Sequence, residues 1–336
     1  MRGWFDKKGE QSDVVVSTRV RLARNLSDTP FPANWNDETA KAVIEKIKAA
    51  AADTPHSFEF LNLDNAPDLN KQALVEEHVM SREMLSGKNK ALLLSGDGCV
   101  SVMIGEEDDI RLQVIAPGLD LDGVYKTADA LDDMLGETLD YAFDEQFGFL
   151  TRCPTNVGTG MRASVMLHLP ALELAGRMNQ LAGEVGKLGL TIRGLYGEGS
   201  DSKGSLYQLS NQITLGISEA QTLEKLKNIT MQIIETERGM RKRLYERNPD
   251  SLSDTLWRAL GTLKYARRLT SAECESLLSE VKLGADMGII TGTDAHTLTK
   301  LMIASEPAHI ALSAGENITP EARDLRRADM IRAALA

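Results

Sequence analysis

The chain has 336 residues, 42% of them apolar, and a formal net charge of −11 at neutral pH. That length holds two domains or one large one, and the acidic balance argues against general nucleic-acid binding, so each arginine matters by its position. No apolar run approaches the roughly 20 residues of a membrane span. The start of the chain, with Trp4, Asp6 and Glu10, lacks a signal peptide's apolar core, and Cys99, Cys153 and Cys274 have neither disulfide nor zinc-site spacing. The expectation is a cytoplasmic protein with reduced thiols, no membrane association and no metal held by its own side chains.

In chain order, Asp13 to Leu22 is β-branched and reads as a strand that places Arg19 and Arg21 on one face. The pair suits either an edge strand blunted by charge or a polyanion site. Asn36 or Asp37 caps a helix through Ile47 and Ala50, and Ser57 to Leu63 alternates as a strand. Leu69 to Leu85 reads as one helix carrying His78, a structural hydrogen-bonder or a ligand contact. Ala91 to Leu94 and Val100 to Ile104 flank Ser95-Gly96-Asp97-Gly98 as a hairpin, and Ile110 to Ile115 extends it into a meander. The turn Glu106-Glu107-Asp108-Asp109, followed by Arg111, is an exposed acidic loop or a grip for a cationic substrate.

Helical spacing runs from Leu121 to Phe147. Next, Arg152 to Ser164 gathers a thiol, two arginines and turn residues, with Gly158 and Gly160 allowing backbone N–H groups close to an anion. This is a phosphate cradle beside Cys153 or a tight connection. A strand at Val165 to Leu167, a helix from Glu173 to Leu188 and a strand from Leu190 to Leu195 follow. The Gly-rich stretch Tyr196 to Ser205 reads as a lid or a surface loop, and it is no Walker loop because Lys203 precedes Gly204. A strand from Leu206 to Leu215 and a Ser218-capped helix to Arg247 lead to Asn248-Pro249, after which helices are expected over 254–268, 271–283, 294–305 and 320–335.

Taken together, Ser17-Thr18-Arg19-Val20-Arg21, Glu106-Glu107-Asp108 with Arg111, Cys153-Pro154-Thr155-Asn156 through Arg162, and Arg193-Gly194 before Gly197-Glu198 occur in the order of the phosphagen (guanidino) kinases. The resemblance covers roughly residues 13 to 250 and points within that family to the bacterial protein-arginine kinases, which lack the metabolic enzymes' small helical amino-terminal domain and add a helical carboxy-terminal one. It implies an α+β fold, an antiparallel sheet flanked by helices over 1–250, with an all-α domain over 251–336 for phosphoarginine binding and dimerisation.

The same resemblance implies phosphoryl transfer from ATP, with Mg2+, to arginine side chains of proteins. A kinase for free arginine and a non-catalytic phosphoarginine adaptor are the alternatives. Arg19, Arg21, Arg111, Arg162 and Arg193 would clamp the phosphates, alongside Ser17, Thr18, Val20, His78, Ala163, Ser164, Val165, Met166 and the run Gly194-Leu195-Tyr196-Gly197-Glu198. Glu107 and Glu198 would hold the acceptor guanidinium, and Cys153 would position it. Asp109 and Met166 stand where relatives tend to carry histidine. In the last helix, Arg323, Asp324 and Arg327 match a regulatory phosphoarginine motif. Expected partners are proteins with exposed arginines, a heat-shock repressor, a Clp ATPase that degrades marked proteins, a zinc-binding activator and a second copy of the chain.

Overall fold

The computed structural model describes residues 3–194, 202–315 and 318–336. Strand β1 (Val15–Arg24) precedes helix α1 (Asp37–Ala52), whose first turn is closed by Asn36 Oδ1 accepting from Thr39 N at 2.8 Å. Then come β2 (Phe58–Asn62), α2 (Asp68–Glu76), β3 (Ala91–Ser95), β4 (Val100–Ile104), β5 (Ile110–Pro117) and α3 (Leu121–Gly136). Short strands β6 (Phe143–Asp144) and β7 (Gly148–Phe149) pair in a hairpin. They are followed by β8 (Met161–His168), α4 (Pro170–Leu174), α5 (Met178–Lys187), β9 (Leu190–Gly194) and β10 (Leu206–Asn211). The remainder is helical: α6 (Glu219–Arg247), α7 (Pro249–Tyr265), α8 (Ser271–Asp286), α9 (Ala295–Ala304), α10 (Pro307–Ser313) and α11 (Pro320–Ala334).

The fold is an antiparallel sheet flanked by helices with a helical carboxy-terminal part. Its strand order is β2-β3-β4-β5-β1-β8-β10-β9. From β2 to β1 the neighbours pair antiparallel, and the β1–β5 register sets Arg19 opposite Ile115 and Arg21 opposite Gln113. Alternation along β1 sends Thr18 and Val20, both fully buried, to the face opposite Arg19 and Arg21.

The chain forms two compact units. The first comprises Ser17–Ser164 and Ser210–Lys227 with the amino terminus through Lys7, and the second comprises Lys8–Val16, Val165–Leu209 and Asn228–Ala336. In the second unit the carboxy-terminal helices share one core that includes Leu260, Leu263, Leu278, Val281, Leu298 and Ile331. Each such side chain contributes roughly 1.5–3 kcal/mol by leaving water.

Five elements depart from the sequence reading. The expected helix over Leu69–Leu85 stops at Glu76. His78 takes φ +60° and both Val79 N and Met80 N turn back to Leu74 O, a left-handed cap that periodicity does not reveal. The long helix expected through Phe147 ends at Gly136, where Thr138 N and Leu139 N both turn back to Leu135 O; beyond it Asp144 Oδ1 accepts from Gln146 N and Phe147 N and turns β6 into β7. Phe143 and Phe147, which fall within the expected helix, are 58% and 47% exposed. The helix expected over Glu173–Leu188 is two, α4 and α5, divided at Gly176 with φ +65°. β10 stops at Asn211, whose amide is occupied by Met161 O and Ile213 O, and α10 has no counterpart in the reading.

Candidate active site

Within the first unit a cavity of about 270 Å³ is lined by Arg21, Arg111, Arg162, Glu83, Glu106, Glu107 and Cys153, together with Thr155, Asn156 and Gly160. β1 supplies Arg21, β5 supplies Arg111 and β8 supplies Arg162, so three paired or neighbouring strands aim guanidiniums at one space. Burial lowers the Arg21 pKa well below its ordinary value. Repulsion from Arg19, Arg111 and Arg162 adds to this, while Glu106 opposes it. Arg21 Nε is buried with no hydrogen-bond partner. A concentration of like charge with an unused donor fits a polyanion that brings acceptors and negative charge, which is what ATP phosphates supply.

Two neighbours hold the other arginines. Arg19 Nε donates to Ser164 Oγ at 3.4 Å, and Arg162 Nη2 donates to Ser210 Oγ at 3.3 Å. His78 is pushed down to about 3 by burial, then by Arg19 and Arg82, so it faces that cluster as a neutral ring. Its carbonyl accepts from Gln113 Nε2 at 2.8 Å.

The acidic turn divides its labour. Glu106, only 6% exposed, accepts from Ser81 Oγ and pairs with Arg111 Nε at 2.5 Å, whereas the Glu107 side chain is 45% exposed and meets Arg111 Nη2 at 3.4 Å. Glu106 anchors Arg111, and Glu107 is the more exposed of the two carboxylates. Asp108 and Asp109 fasten the turn from behind. Asp108 Oδ1 accepts from Asn25 Nδ2 and Arg152 N, both at 2.8 Å, and Asp109 Oδ2 accepts from Leu26 N at 2.8 Å. Arg152 N thereby ties the turn to the cysteine loop.

In that loop Cys153 Sγ lies 3.0 Å from Thr155 Oγ1, and Thr214 Oγ1 donates to Thr155 O and Val157 O. Gly160 has φ +64°, and a Cβ there would stand 2.6 Å from Ala23 O. The loop passes too close to β1 for any side chain.

Several residues expected to touch a nucleotide are not among those lining this cavity. Thr18 Oγ1 donates to Gly118 O and accepts from Asp120 N, so it fixes the entry to α3 and does not line the cavity; Val20, Ala163 and Val165 are core side chains. Ser17, Ser164 and Met166 are also buried. Ala163 N donates to Asn211 Oδ1. Arg193 is exposed and Gly194 buried at the end of β9 in the second unit, while Leu195, Tyr196, Gly197 and Glu198 lie outside the described residues. Asn25, Ser81, Glu83, Asn211 and Thr214 were not singled out from sequence. They carry no local motif and join the site only through contacts distant along the chain.

In α11, Arg327 is 1% exposed and donates from Nε to Ser305 O and from Nη1 to Leu269 O, both at 2.8 Å, and to Asp324 Oδ1 at 2.9 Å. The sequence reading gave this guanidinium to a ligand phosphate. In the fold it binds α11 to two neighbouring chain segments.

The ATP:guanido phosphotransferase C-terminal catalytic domain matches residues 39–240, and the protein-arginine kinase McsB C-terminal domain matches 249–336. A protein-arginine kinase of Halothermothrix orenii is 43% identical over 334 residues, covering 99% of this chain and 96% of the relative. Those of Pelotomaculum thermopropionicum and Bacillus subtilis are 44% and 41% identical, covering 98% and 99% of this chain and 94% and 93% of the relatives. Among solved structures, the duplicated taurocyamine kinase of Schistosoma mansoni superposes with TM-score 0.64 at 24% identity over 81% of this chain and 40% of its own length. Lombricine kinase does so with TM-score 0.60 at 21% identity, over 71% and 72%. At these identities the two structures speak for the fold. No helix among the described residues is long and apolar enough to cross a membrane.

Proposed function

This chain belongs to the ATP:guanido phosphotransferase family, among its protein-arginine kinases, and on that premise we propose that its first-unit cavity transfers the γ-phosphoryl group of ATP to arginine side chains of proteins. The observation that carries the proposal is the cavity wall, where Arg21, Arg111 and Arg162 face the half-exposed carboxylate of Glu107. Such a wall suits a phosphate chain on one side and a guanidinium on the other. The names of full-length relatives support a protein-borne acceptor.

The chemistry assigns each group a task. Arg21, Arg111 and Arg162 spread positive charge over the transferring phosphoryl group and fix its direction, and Mg2+ enters with the nucleotide as part of that substrate. Glu107 orients the acceptor guanidinium in line with the γ-phosphorus. As the N–P bond forms and the P–O bond to ADP breaks, the guanidinium's surplus proton passes to a carboxylate, Glu107 or Glu198. Cys153, fixed beside Thr155, borders the same space and serves to position the acceptor.

The proposal extends to the chain's setting. Phosphoarginine marks substrates for Clp-type degradation, the heat-shock repressor is a target, a zinc-binding activator raises the rate and the chain works as a homodimer in the cytoplasm. A regulatory phosphoarginine site at Arg323 and Asp324 belongs to the same reading, with Arg327 shaping the helix that carries it. The catalytic proposal is tested by offering γ-labelled MgATP with casein and with free arginine in parallel. Label on protein is expected, label on free arginine alone selects the small-guanidine reading, and label on neither leaves a phosphoarginine-binding adaptor.

A further inference from the structure

The second unit contains another cavity, of about 480 Å³, walled by α4, α7, α8 and the segment Ser202–Ser205. Glu275, Ser279 and Leu283 project into it from one face of α8, four residues apart, with Leu252 and Leu256 from α7 and Glu173 from α4. The lining therefore joins an apolar body to carboxylates: Glu173, Glu275 and Glu280 against the lone cation Lys203 among the described lining residues. Gly204 packs so closely on α8 that a Cβ would stand 3.3 Å from Glu275 O.

Glu275 distinguishes this space from a solvated acidic patch. It is 7% exposed, yet neither carboxylate oxygen has a hydrogen-bond partner. The Glu306 carboxyl lies beside it, but two ionised carboxylates have no proton to give each other, so that contact becomes a hydrogen bond only when one is protonated. Burial raises the Glu275 carboxyl above its ordinary range, against the opposing pull of Lys203, Glu306 and Arg327. Glu173, by contrast, is satisfied: it accepts from Ser202 Oγ at 2.9 Å and Tyr207 OH at 3.0 Å. A buried carboxylate with two vacant acceptors at the wall of a partly apolar cavity calls for a donor cation on an apolar stem.

We propose that this cavity is a binding site for an alkylguanidinium or alkylammonium group, whose stem packs on Leu252, Leu256 and Leu283 and whose charged head is held by Glu275. The head comes from an arginine or lysine side chain of a polypeptide or from a small free cation. Glu275 belongs to none of the groups assigned to phosphoryl transfer, so the site stands or falls apart from that assignment.

The test is isothermal titration of butylguanidinium into the full-length Glu107→Gln protein, in which the first-unit carboxylate no longer competes for the probe. One binding event is expected. Adding Glu275→Gln weakens it by about tenfold or more through loss of the charge-assisted bonds, and Leu252→Trp, which fills the cavity without touching the carboxylate, abolishes it. Butylurea, of similar shape and no charge, does not bind. Absence of an event in the parent, an event unchanged by both substitutions, or equal binding of butylurea overturns the site. Thermal unfolding of each variant shows that a lost event is not a lost fold. An arginine-containing unfolded peptide that binds more tightly than butylguanidinium supports the site with a polypeptide as source, and equal affinity supports it with a small cation as source.

Discussion

Arg111 Nη2 stands 3.4 Å from Glu107 Oε2, so a cation proposed for the phosphates and a carboxylate proposed for the acceptor are paired with each other. The Glu107 side chain is 45% exposed against 14% for Arg111, and at 3.4 Å the pair contributes little to stability. Both groups are thus available for exchange, Arg111 towards the nucleotide and Glu107 towards a guanidinium, while the 2.5 Å contact to Glu106 keeps Arg111 in place.

Glu107→Gln should therefore lower kcat by about 10²–10⁴, the usual range for a positioned acid–base group, with nucleotide affinity unchanged or slightly raised. Steady-state kinetics beside equilibrium ADP binding checks this. Loss of nucleotide affinity in step with rate would place Glu107 on the phosphate side.

Arg21→Lys keeps the charge and discards the fork. Because Arg21 Nε is a buried donor without a partner in the protein, its loss should show only when a nucleotide is bound. Nucleotide affinity should fall by about tenfold or more, with thermal stability unchanged or improved as crowding by Arg19, Arg111 and Arg162 relaxes.

Asp109 gives a pH dependence. Burial holds its carboxyl up at about 7, aided by Asp108 and Asp28 and opposed by the hydrogen bond from Leu26 N, against an ordinary value of 3.8. The folded state thus favours the protonated form. That contribution is fully present below about pH 4 and is lost as pH rises to 7, at up to about 1.4 kcal/mol per pH unit. Urea unfolding of wild type and Asp109→Asn across this window should show wild type losing stability relative to the variant as pH rises. Parallel curves would contradict the shift.

Arg327→Ala strands Ser305 O and Leu269 O in a buried setting and leaves the partly buried Asp324 carboxylate only its 3.4 Å contacts with Arg268, and it should cost about 3–5 kcal/mol by denaturant unfolding. Arg323, partly exposed on the same helix, should tolerate alanine within about 0.5 kcal/mol. A phosphoarginine titration is consequently informative with Arg323→Ala and confounded with Arg327→Ala.

The sequence made the β1 arginines, the β3–β4 hairpin and the capped helices α1, α8 and α11 legible, because each depends on neighbours within a few residues. It also singled out Arg111, Glu107, Cys153 and Arg162, which the fold gathers around one cavity. What escaped it depends on distant contacts. The split between Glu106 as anchor and Glu107 as the more exposed carboxylate needs Ser81 and Arg111, and the buried service of Thr18 and Arg327 needs carbonyl oxygens far away in sequence. Helical periodicity similarly ran past His78, Gly136 and Gly176, where backbone turns and not side-chain spacing end the helices.

The most direct test of the central claim is where the γ-phosphate goes. After incubation of the protein with MgATP and an unfolded acceptor protein, 31P NMR of the acceptor should show a phosphoramidate resonance that disappears on mild acid treatment, and peptide mass spectrometry should place it on arginine. Glu107→Gln should remove both signals. An acid-stable phosphate on serine, threonine or tyrosine, or arginine label that persists undiminished in Glu107→Gln, would contradict the account.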